Sequence, residues 1–362
     1  MRIEVEPKGG TRRLQREQQD KEQQKKKDSS NDQDPDLKEA KPDAEHAPLE
    51  KEIKFIAPAR KIPFIPHGYQ VSIDKQTLRR NTAFKPFHNW LKVQTEAGFV
   101  TRQEAVSMIP PIVLDPKPHH VILDMAAAPG SKTSQLLEIV NLPTDKDCHE
   151  PVGCVVANDA DVKRAYMLVH QMRRINSPAV FITSCDARFF PLLRSKDSES
   201  TGDSDEGIFD RVLCDVPCSG DGTTRKNPGV WKNWTCLNGY ALHPLQLAIA
   251  LRGAQSTKVG GYLCYSTCSM NPIENEAVVA ELLRASEGSL ELVERKSELT
   301  GLVSRPGMDT WTNLSEMRKR IRSTCFPPTP EEISKFNLKH CMRILPQDMD
   351  TGGFFVALLK KV

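Results

Sequence analysis

The sequence predicts an α/β fold with a mostly parallel, seven-stranded sheet flanked by helices. After residue 112, short apolar runs alternate with stretches of helix-forming residues, which is typical of β-α-β units in a parallel sheet. Acidic residues stand at or beyond the ends of the first four apolar runs, where open α/β sheets hold their ligands. These two observations place a ligand site at one edge of the predicted sheet.

The predicted strands and helices follow one another in chain order. Strands are expected at residues 121–125, 153–158, 179–183, 211–214, 261–266, 290–293 and 354–359. Helices are expected at residues 131–140, 161–176, 244–257 and 274–285. The polar residues 195–207 favour a surface loop, and the prolines within 296–350 favour irregular structure.

Three regions are predicted along the chain. Residues 1–52 are rich in charged residues and Gln, so they bury too little apolar surface to offset their chain entropy and are expected to form a disordered tail. Residues 53–112 are expected to form a small, mainly helical N-terminal segment. Residues 113–362 are expected to form the α/β catalytic domain.

The N-terminal segment carries three local signals. Phe84, Phe87, Trp90 and Leu91 fall at helical spacing, which favours an amphipathic helix with its aromatic side in the core. The basic side of that helix suits RNA phosphates as an alternative role. Thr101 and Glu104 have the spacing of a capping box, and Pro110 is expected to stop the helix that follows.

Composition excludes several classes of protein. No window approaches the roughly 18 to 20 apolar residues of a membrane span, and the first residues lack the apolar core of a secretory signal. The ten cysteines are therefore expected to be reduced thiols. Cys214/Cys218 and Cys264/Cys268 have metal-like C-x3-C spacing, but Cys214 and Cys264 fall inside predicted strands, so no metal is expected.

The first ligand loop, residues 126–132, suits a ligand without phosphate. It has one glycine and matches neither the dinucleotide nor the P-loop pattern, while the helix after it favours a carboxylate. Asp159 is well placed for ribose hydroxyls, and Asp186 for an exocyclic amine. S-adenosyl-L-methionine has these groups. For each acid alone, a turn or a helix cap is the alternative.

Two thiols and an acid follow the fourth and fifth predicted strands. Asp215 and Cys218 come after one strand and Cys268 after the next, and neighbouring strands lie about 4.8 Å apart, so both sulfurs can face one base. A thiolate that adds to C6 of cytosine makes C5 nucleophilic, while a protonated Asp215 meets the charge at N3. A buried structural thiol is the alternative for either cysteine alone. The chemistry does not rank the two thiols.

Five motifs resemble those of the Nop/Sun family of RNA cytosine-5 methyltransferases, especially its eukaryotic tRNA-acting branch. They are TRQEAVSMIPP at 101–111, LDMAAAPGSKT at 123–133, CDVPCSGDGT at 214–223, YSTCSMNPIE at 265–274 and TGGFF at 351–355. The resemblance covers roughly residues 63–362 and implies a Rossmann-like class I S-adenosylmethionine-dependent methyltransferase acting on RNA, with tRNA as the expected substrate. Residues 53–112 would then face RNA.

The resemblance also assigns roles within the site. It implies that Cys268 is the nucleophile, that Cys218 assists release of the methylated base, and that Lys132 lies close to that base. The implied cofactor contacts are Ala126, Ala127, Ala128, Pro129, Gly130, Ser131, Lys132, Asp159, Arg164, Asp186 and Asp215.

The chain departs from the family pattern in three places. Ala126 stands where relatives often have Cys, and the RNA-holding regions that relatives carry before and after the matched stretch are replaced by a charged tail and by the end at Val362. The alternative function is therefore a short form that binds cofactor or RNA with weak or no catalysis. Basic runs at 12–13 and 25–27 suit nuclear import or a solvated charge run. The expected location is the nucleus, with the nucleolus and cytoplasm as alternatives.

Overall fold

The computed structural model describes residues 56–144, 150–193, 207–313 and 321–362. These residues belong to a compact unit, Lys54–Val362. The predicted tail at 1–52 and most of the predicted loop at 195–207 lie outside the described residues. In the described part of the chain, no helix combines the length and the apolar character that a bilayer span requires.

The main sheet confirms the predicted α/β fold, with nine strands where seven were expected. Strands are formed by Arg60–Lys61 (β1), Tyr69–Gln70 (β2), Val121–Asp124 (β3), Cys154–Asn158 (β4), Val180–Thr183 (β5), Phe209–Asp215 (β6), Thr257–Thr267 (β7), Leu290–Leu292 (β8), Arg305–Pro306 (β9), Met342–Ile344 (β10) and Phe354–Lys361 (β11). The order across the main sheet is β5-β4-β3-β6-β7-β11-β10-β9. Strands β3 to β7 are parallel, and β11 runs antiparallel between β7 and β10.

The sixth predicted strand forms as β8 and lies off the main path of the sheet. Strand β8 pairs with the end of β11 through Leu292 and Leu359, beside the main path of the sheet. The position next to the start of β11 is taken by β10, which lies in the stretch predicted to be irregular. Strand β10 has only three residues, so its strand conformation depends on pairing with β9 and β11 rather than on local sequence.

Helices cover both faces of the sheet. They are Lys75–Arg80 (α1), Lys85–Glu96 (α2), Ile109–Leu114 (α3), Ser131–Val140 (α4), Val162–Met172 (α5), Pro228–Asn233 (α6), Cys236–Ser256 (α7), Glu276–Ala285 (α8), Pro330–Phe336 (α9) and Pro346–Met349 (α10). Helix α4 has its predicted bounds. Helix α7 starts eight residues before the predicted Pro244, because buried positions such as Gly239, His243 and Gln246 continue through the proline at helical spacing.

The predicted helix start and stop before the sheet are wrong. Glu104 makes no capping hydrogen bond, and a 3-10 turn at Ala105–Met108 precedes α3. Pro110 lies in the first turn of α3 rather than after a helix, because the first turn needs no backbone N–H donor. The predicted boundary at 112/113 falls inside α3, whose Ile109 and Leu114 belong to the same core cluster as the sheet.

The aromatic side of α2 is also not in the core. Phe84 just before the helix is buried, whereas Trp90 is 51% exposed and stacks on Phe87 with ring centroids 5.9 Å apart. Phe87 and Leu91 line a cavity of about 740 Å³ that extends to Gly130. The helix therefore borders an open groove beside the first ligand loop instead of closing it.

A buried ion pair links β10 to the segment that follows β7. Arg343 donates to both carboxylate oxygens of Glu276, each at 2.5 Å, and to the carbonyl oxygen of Met270 at 3.0 Å. Glu276 is fully buried. Removing one partner of such a pair leaves a buried charge without compensation.

Replacing Arg343 with Ala is therefore expected to lower the free energy of unfolding by roughly 3 to 5 kcal/mol, measured by urea denaturation. The matched control is Arg305→Ala, because Arg305 binds Asp348 on the surface and its removal should leave the midpoint almost unchanged. Similar losses in both variants would contradict the expectation.

Candidate active site

The two predicted site thiols are in contact. Strands β6 and β7 are parallel neighbours with Asp215 opposite Ser266, so the loops that leave their carboxyl ends meet. The Sγ atoms of Cys218 and Cys268 lie 3.2 Å apart. Cys214 and Cys264, four residues before Cys218 and Cys268 in the sequence, are fully buried in the strands, as expected. The described residues contain no cluster of three or more metal-ligating side chains.

The surroundings of the two thiols are unequal. The hydrogen bond from Cys218 lowers the pKa of Cys268, with help from the charges of Lys132 and Lys226 and against the effect of burial. The contact with Cys268 and burial hold the pKa of Cys218 well above its ordinary value. The arrangement is that of a protonated Cys218 that donates to a Cys268 thiolate, which is the nucleophilic form of a cysteine.

An ammonium and a carboxylate lie beside the thiols. Lys132 Nζ donates to Asp215 Oδ2 at 2.6 Å, and Ser266 Oγ donates to Asp215 Oδ1 at 2.8 Å. Although burial opposes its charge, Asp215 raises the pKa of Lys132. Both carboxylate oxygens of Asp215 accept hydrogen bonds, so the charged donor beside the thiols is Lys132.

The loop after β3 is held against the end of β4. Ala127 N–H donates to the carbonyl of Asn158 at 2.8 Å, and Ala128 N–H donates to Asp159 Oδ2 at 3.1 Å. The Arg164 guanidinium donates to the carbonyl of Ala128 and lies 3.4 Å from Asp159. Four of the predicted cofactor-binding residues, Ala127, Ala128, Asp159 and Arg164, thus share one hydrogen-bonded network.

Gly130 makes the close approach of this loop to α5 possible. Its φ is +105°, and a Cβ there would lie 2.9 Å from the side chains of Leu168 and Met172. A larger residue would push the loop outward. Ser131 and Lys132 then open α4, so backbone N–H groups at its N-terminus suit the carboxylate of an amino-acid ligand.

Asp186 lies apart from this network. Its carboxylate accepts from Arg188, with Nη2 to Oδ2 at 2.6 Å, and its side chain is 38% exposed. It also accepts from the backbone N–H of Arg188 as the cap of a 3-10 turn. If Asp186 binds an exocyclic amine as predicted, its carboxylate would accept from that amine and from Arg188 at the same time.

Asp124 ends β3 and is a site residue to which the sequence analysis gives no role. It is almost fully buried, and its Oδ2 accepts from Thr133 Oγ1 at 2.7 Å. Its Oδ1 has no hydrogen-bond partner among the described residues. An unpaired buried carboxyl oxygen next to the ligand loop fits a ligand that brings a polar group to that position. Together with the Gly130 cradle, it agrees with S-adenosyl-L-methionine as the ligand.

Asp124 should also make stability depend on pH. Burial raises the pKa of Asp124 to about 7, so the folded chain holds a proton that the unfolded chain loses above about pH 4. The free energy of unfolding should therefore fall as pH rises from about 4 to 7, by up to roughly 1.4 kcal/mol per pH unit from this group. Asp124→Asn should be stabilised relative to wild type as pH rises; parallel curves in urea denaturation would refute this.

Known methyltransferases resemble this chain over most of its length. A family model described as 16S rRNA methyltransferase RsmB/F matches residues 111–360. The multisite-specific tRNA:(cytosine-C(5))-methyltransferase of Saccharomyces cerevisiae is 48% identical over 318 residues, which cover 85% of this chain and 46% of the yeast protein. The tRNA (cytosine(34)-C(5))-methyltransferase of Drosophila melanogaster is 45% identical, over 83% of this chain and 42% of the fly protein.

A solved structure supports the fold. The crystal structure of a methyltransferase homologue from Pyrococcus horikoshii has a TM-score of 0.58 and 26% sequence identity, and the match covers 85% of this chain and 79% of that one. The chain spans less than half the length of the yeast and fly relatives. The region that the family model matches includes strands β3 to β10, both thiols and the ligand loop.

Proposed function

Because the chain belongs to the RsmB/F family of methyltransferases, we propose that it transfers a methyl group to C5 of cytosine in RNA, with tRNA as the substrate class. The observation that carries the proposal is the thiol pair, 3.2 Å apart, beside the Lys132–Asp215 ion pair. The names of the yeast and fly relatives, which act on tRNA cytosines, support the choice of tRNA.

The cofactor of this family is S-adenosyl-L-methionine, which supplies an electrophilic methyl group. In the proposal it is held by residues 126–132, with Asp159 and Arg164 at the ribose side and Asp215 near the reacting end. Asp186 is proposed at the adenine, alongside its contact with Arg188. Asp124 adds a buried acceptor behind the loop.

The reaction begins at Cys268. Its thiolate forms a bond to C6 of the cytosine, and the electron pair of the C5–C6 double bond moves into the ring, which makes C5 nucleophilic. Lys132 and Asp215 share a proton across their 2.6 Å contact, and this shared proton stabilises the negative charge that develops towards N3. The covalent Cys268–C6 intermediate is thus prepared to accept a methyl group at C5.

Release needs the reverse of the first step. A base removes the C5 proton, the C5–C6 double bond forms again, and the bond between C6 and Cys268 Sγ breaks. Cys218, 3.2 Å from that sulfur, donates a hydrogen bond to the departing thiolate. Without this donor the leaving sulfur is a poorer leaving group, and the covalent intermediate should persist.

Basic and aromatic surface residues support an RNA substrate. Trp231 on α6 is 80% exposed, and the surrounding residues 222–235 include three cations and no acid. Trp234, one helical turn later, donates to Ser219 Oγ at 2.9 Å and so connects this surface to the Cys218 loop. Arg79, Arg80, Lys85 and Lys92 are exposed around α1 and α2. Exposed aromatic rings and cations are the usual contacts for unpaired RNA.

The proposal is tested by methyl transfer from labelled S-adenosyl-L-methionine to unmodified tRNA transcripts, followed by bisulfite mapping of the product. Methylation at discrete cytosines is expected. Cofactor and RNA binding without any product would favour the alternative short form that binds without catalysis. The nuclear location remains a prediction, which imaging of a tagged full chain would check.

Asp159 should be required for cofactor affinity. Asp159→Ala removes the acceptor of Ala128 N–H and the neighbour of Arg164, so calorimetry should show roughly 10- to 100-fold weaker binding of S-adenosyl-L-methionine. The control is Asp161→Ala, which removes only the cap of α5. It should lower stability by about 1 kcal/mol and leave cofactor affinity unchanged. Equal affinities in all three proteins would refute the assignment.

A further inference from the structure

The carboxylate of Glu274 binds the residue that follows each of the two thiols. Its Oε1 accepts from the backbone N–H of Ser219 at 2.8 Å, and its Oε2 accepts from the hydroxyls of Ser219 at 2.5 Å and Ser269 at 2.8 Å. Ser219 follows Cys218, and Ser269 follows Cys268. One side chain therefore spans both thiol loops.

Glu274 is fully buried, and hydrogen bonds rather than a cation surround its charge. Gln246 Nε2 adds a fourth hydrogen bond at 3.0 Å. None of the ion pairs formed within the described ranges of the chain includes Glu274. Four donors offset the cost of burying the carboxylate, but they leave its negative charge unneutralised. In a low-dielectric interior, that charge acts strongly on neighbouring groups.

The charge of Glu274 acts on one thiol more than on the other. After the contact with Cys268 and burial, it is among the causes that raise the pKa of Cys218. The pKa of Cys268 is lowered by the hydrogen bond from Cys218 and by Lys132 and Lys226. The groups that face the two thiols are Lys132, Asp215, Asp221, Lys226, Tyr265 and Glu274. Glu274 alone among these hydrogen-bonds both Ser219 and Ser269.

Other hydrogen bonds also join the two loops. Gly222 N–H donates to the carbonyl of Cys268 at 2.9 Å, and Met270 N–H donates to Asp221 Oδ1 at 2.7 Å. These contacts do not involve Glu274. A change at Glu274 should therefore alter the placement and protonation of the thiols before it separates the loops.

We propose that Glu274 is a positioning residue that holds the two thiols in contact and keeps the proton of the pair on Cys218. Cys268 then faces the substrate as the thiolate, and Cys218 retains the proton for the leaving sulfur. The proposal rests on the proposed function for which sulfur attacks the base. The state of the thiols, however, is a property of the resting protein and is measured without RNA.

The test is the rate of iodoacetamide alkylation at each cysteine, followed by mass spectrometry from pH 6 to 9 on the full chain. In wild type, Cys268 should react faster than Cys218. In Glu274→Gln, the ratio of the two rates at pH 7 should fall about tenfold, which corresponds to one unit of relative pKa. In methyl transfer, kcat should fall while KM for tRNA stays the same.

The control is Glu281→Gln, which removes one charge from the following helix α8, where Glu281 binds Arg284. Its alkylation ratio should equal that of wild type. A wild-type ratio in Glu274→Gln would overturn the proposal, even if the melting temperature falls. If Glu274→Gln does not fold, the same alkylation ratio is measured in Ser219→Ala and Ser269→Ala, because each removes one hydroxyl donor and keeps the carboxylate of Glu274. Wild-type ratios in both of these variants would overturn the proposal. Absence of methyl transfer in wild type would overturn the proposed function, whereas the proposal for Glu274 is decided by the alkylation ratio alone.

Discussion

Cys268→Ala is expected to reduce methyl transfer to tRNA by at least about 1000-fold, because the other thiol of the site, Cys218, has a pKa well above its ordinary value and is a poor nucleophile. The lowered pKa of Cys268 makes it the thiol that is ionised near neutral pH. Lys132 acts on Cys268 through its charge, and the hydrogen bonds that hold residues 127 and 128 of the ligand loop do not include Cys268. Affinity for S-adenosyl-L-methionine should therefore stay close to that of wild type.

The matched control for Cys268 is Cys236→Ala, at the start of α7 and outside the thiol pair. It removes the same atom from a partly buried cysteine and should keep wild-type activity. Single-turnover assays with saturating cofactor separate chemistry from product release. Full activity in Cys268→Ala would show that the attacking group has been misassigned.

Cys218→Ala is expected to trap the protein on its RNA. The attacking thiolate remains, so the bond to C6 still forms, but the hydrogen bond to the departing sulfur is lost. A covalent complex should accumulate on denaturing gels, and multiple turnover should cease. The trapped cytosine should carry the C5 methyl group, because Cys218 acts after methylation in the proposed sequence.

Two comparisons make the Cys218 result specific. The double variant Cys218→Ala/Cys268→Ala should form no complex, since it lacks the attacking sulfur. The methylated cytosine in the Cys218→Ala complex should appear only when S-adenosyl-L-methionine is present in the reaction. Free methylated tRNA produced by Cys218→Ala at the wild-type rate would contradict a role for Cys218 in release.

Local sequence predicted much of the sheet because its central strands are short apolar runs with buried side chains. Strand β6 and helix α4 lie where alternation placed them, and α4 has its predicted bounds. Strand β10 was missed because its three residues depend on pairing with β9 and β11, which lie distant in sequence. The exposure of Trp90 likewise depends on what packs near α2, and helical spacing alone does not specify it.

The parts of the site that lie directly at the carboxyl ends of β6 and β7 could be predicted from the sequence. Parallel neighbours place the loops of Cys218 and Cys268 side by side, so their proximity follows from strand order, whereas the 3.2 Å contact depends on the loops. The role of Glu274 could not be predicted from strand order, because its partners Ser219 and Ser269 come from two loops that are 50 residues apart in sequence. The ion pair between Arg188 and Asp186 could have been suspected from their spacing of two residues, but its geometry required the turn.

The central claim is that Cys268 Sγ forms a bond to C6 of the target cytosine. The most direct measurement uses wild-type protein and tRNA transcripts made with 5-fluorocytidine, whose C5 fluorine cannot leave as the proton does, so the adduct persists after methylation. Mass spectrometry of the nuclease- and protease-digested complex then identifies the attached residue. Attachment at Cys268 is predicted. Attachment at Cys218, or methylation with no adduct at any residue, would contradict the mechanism.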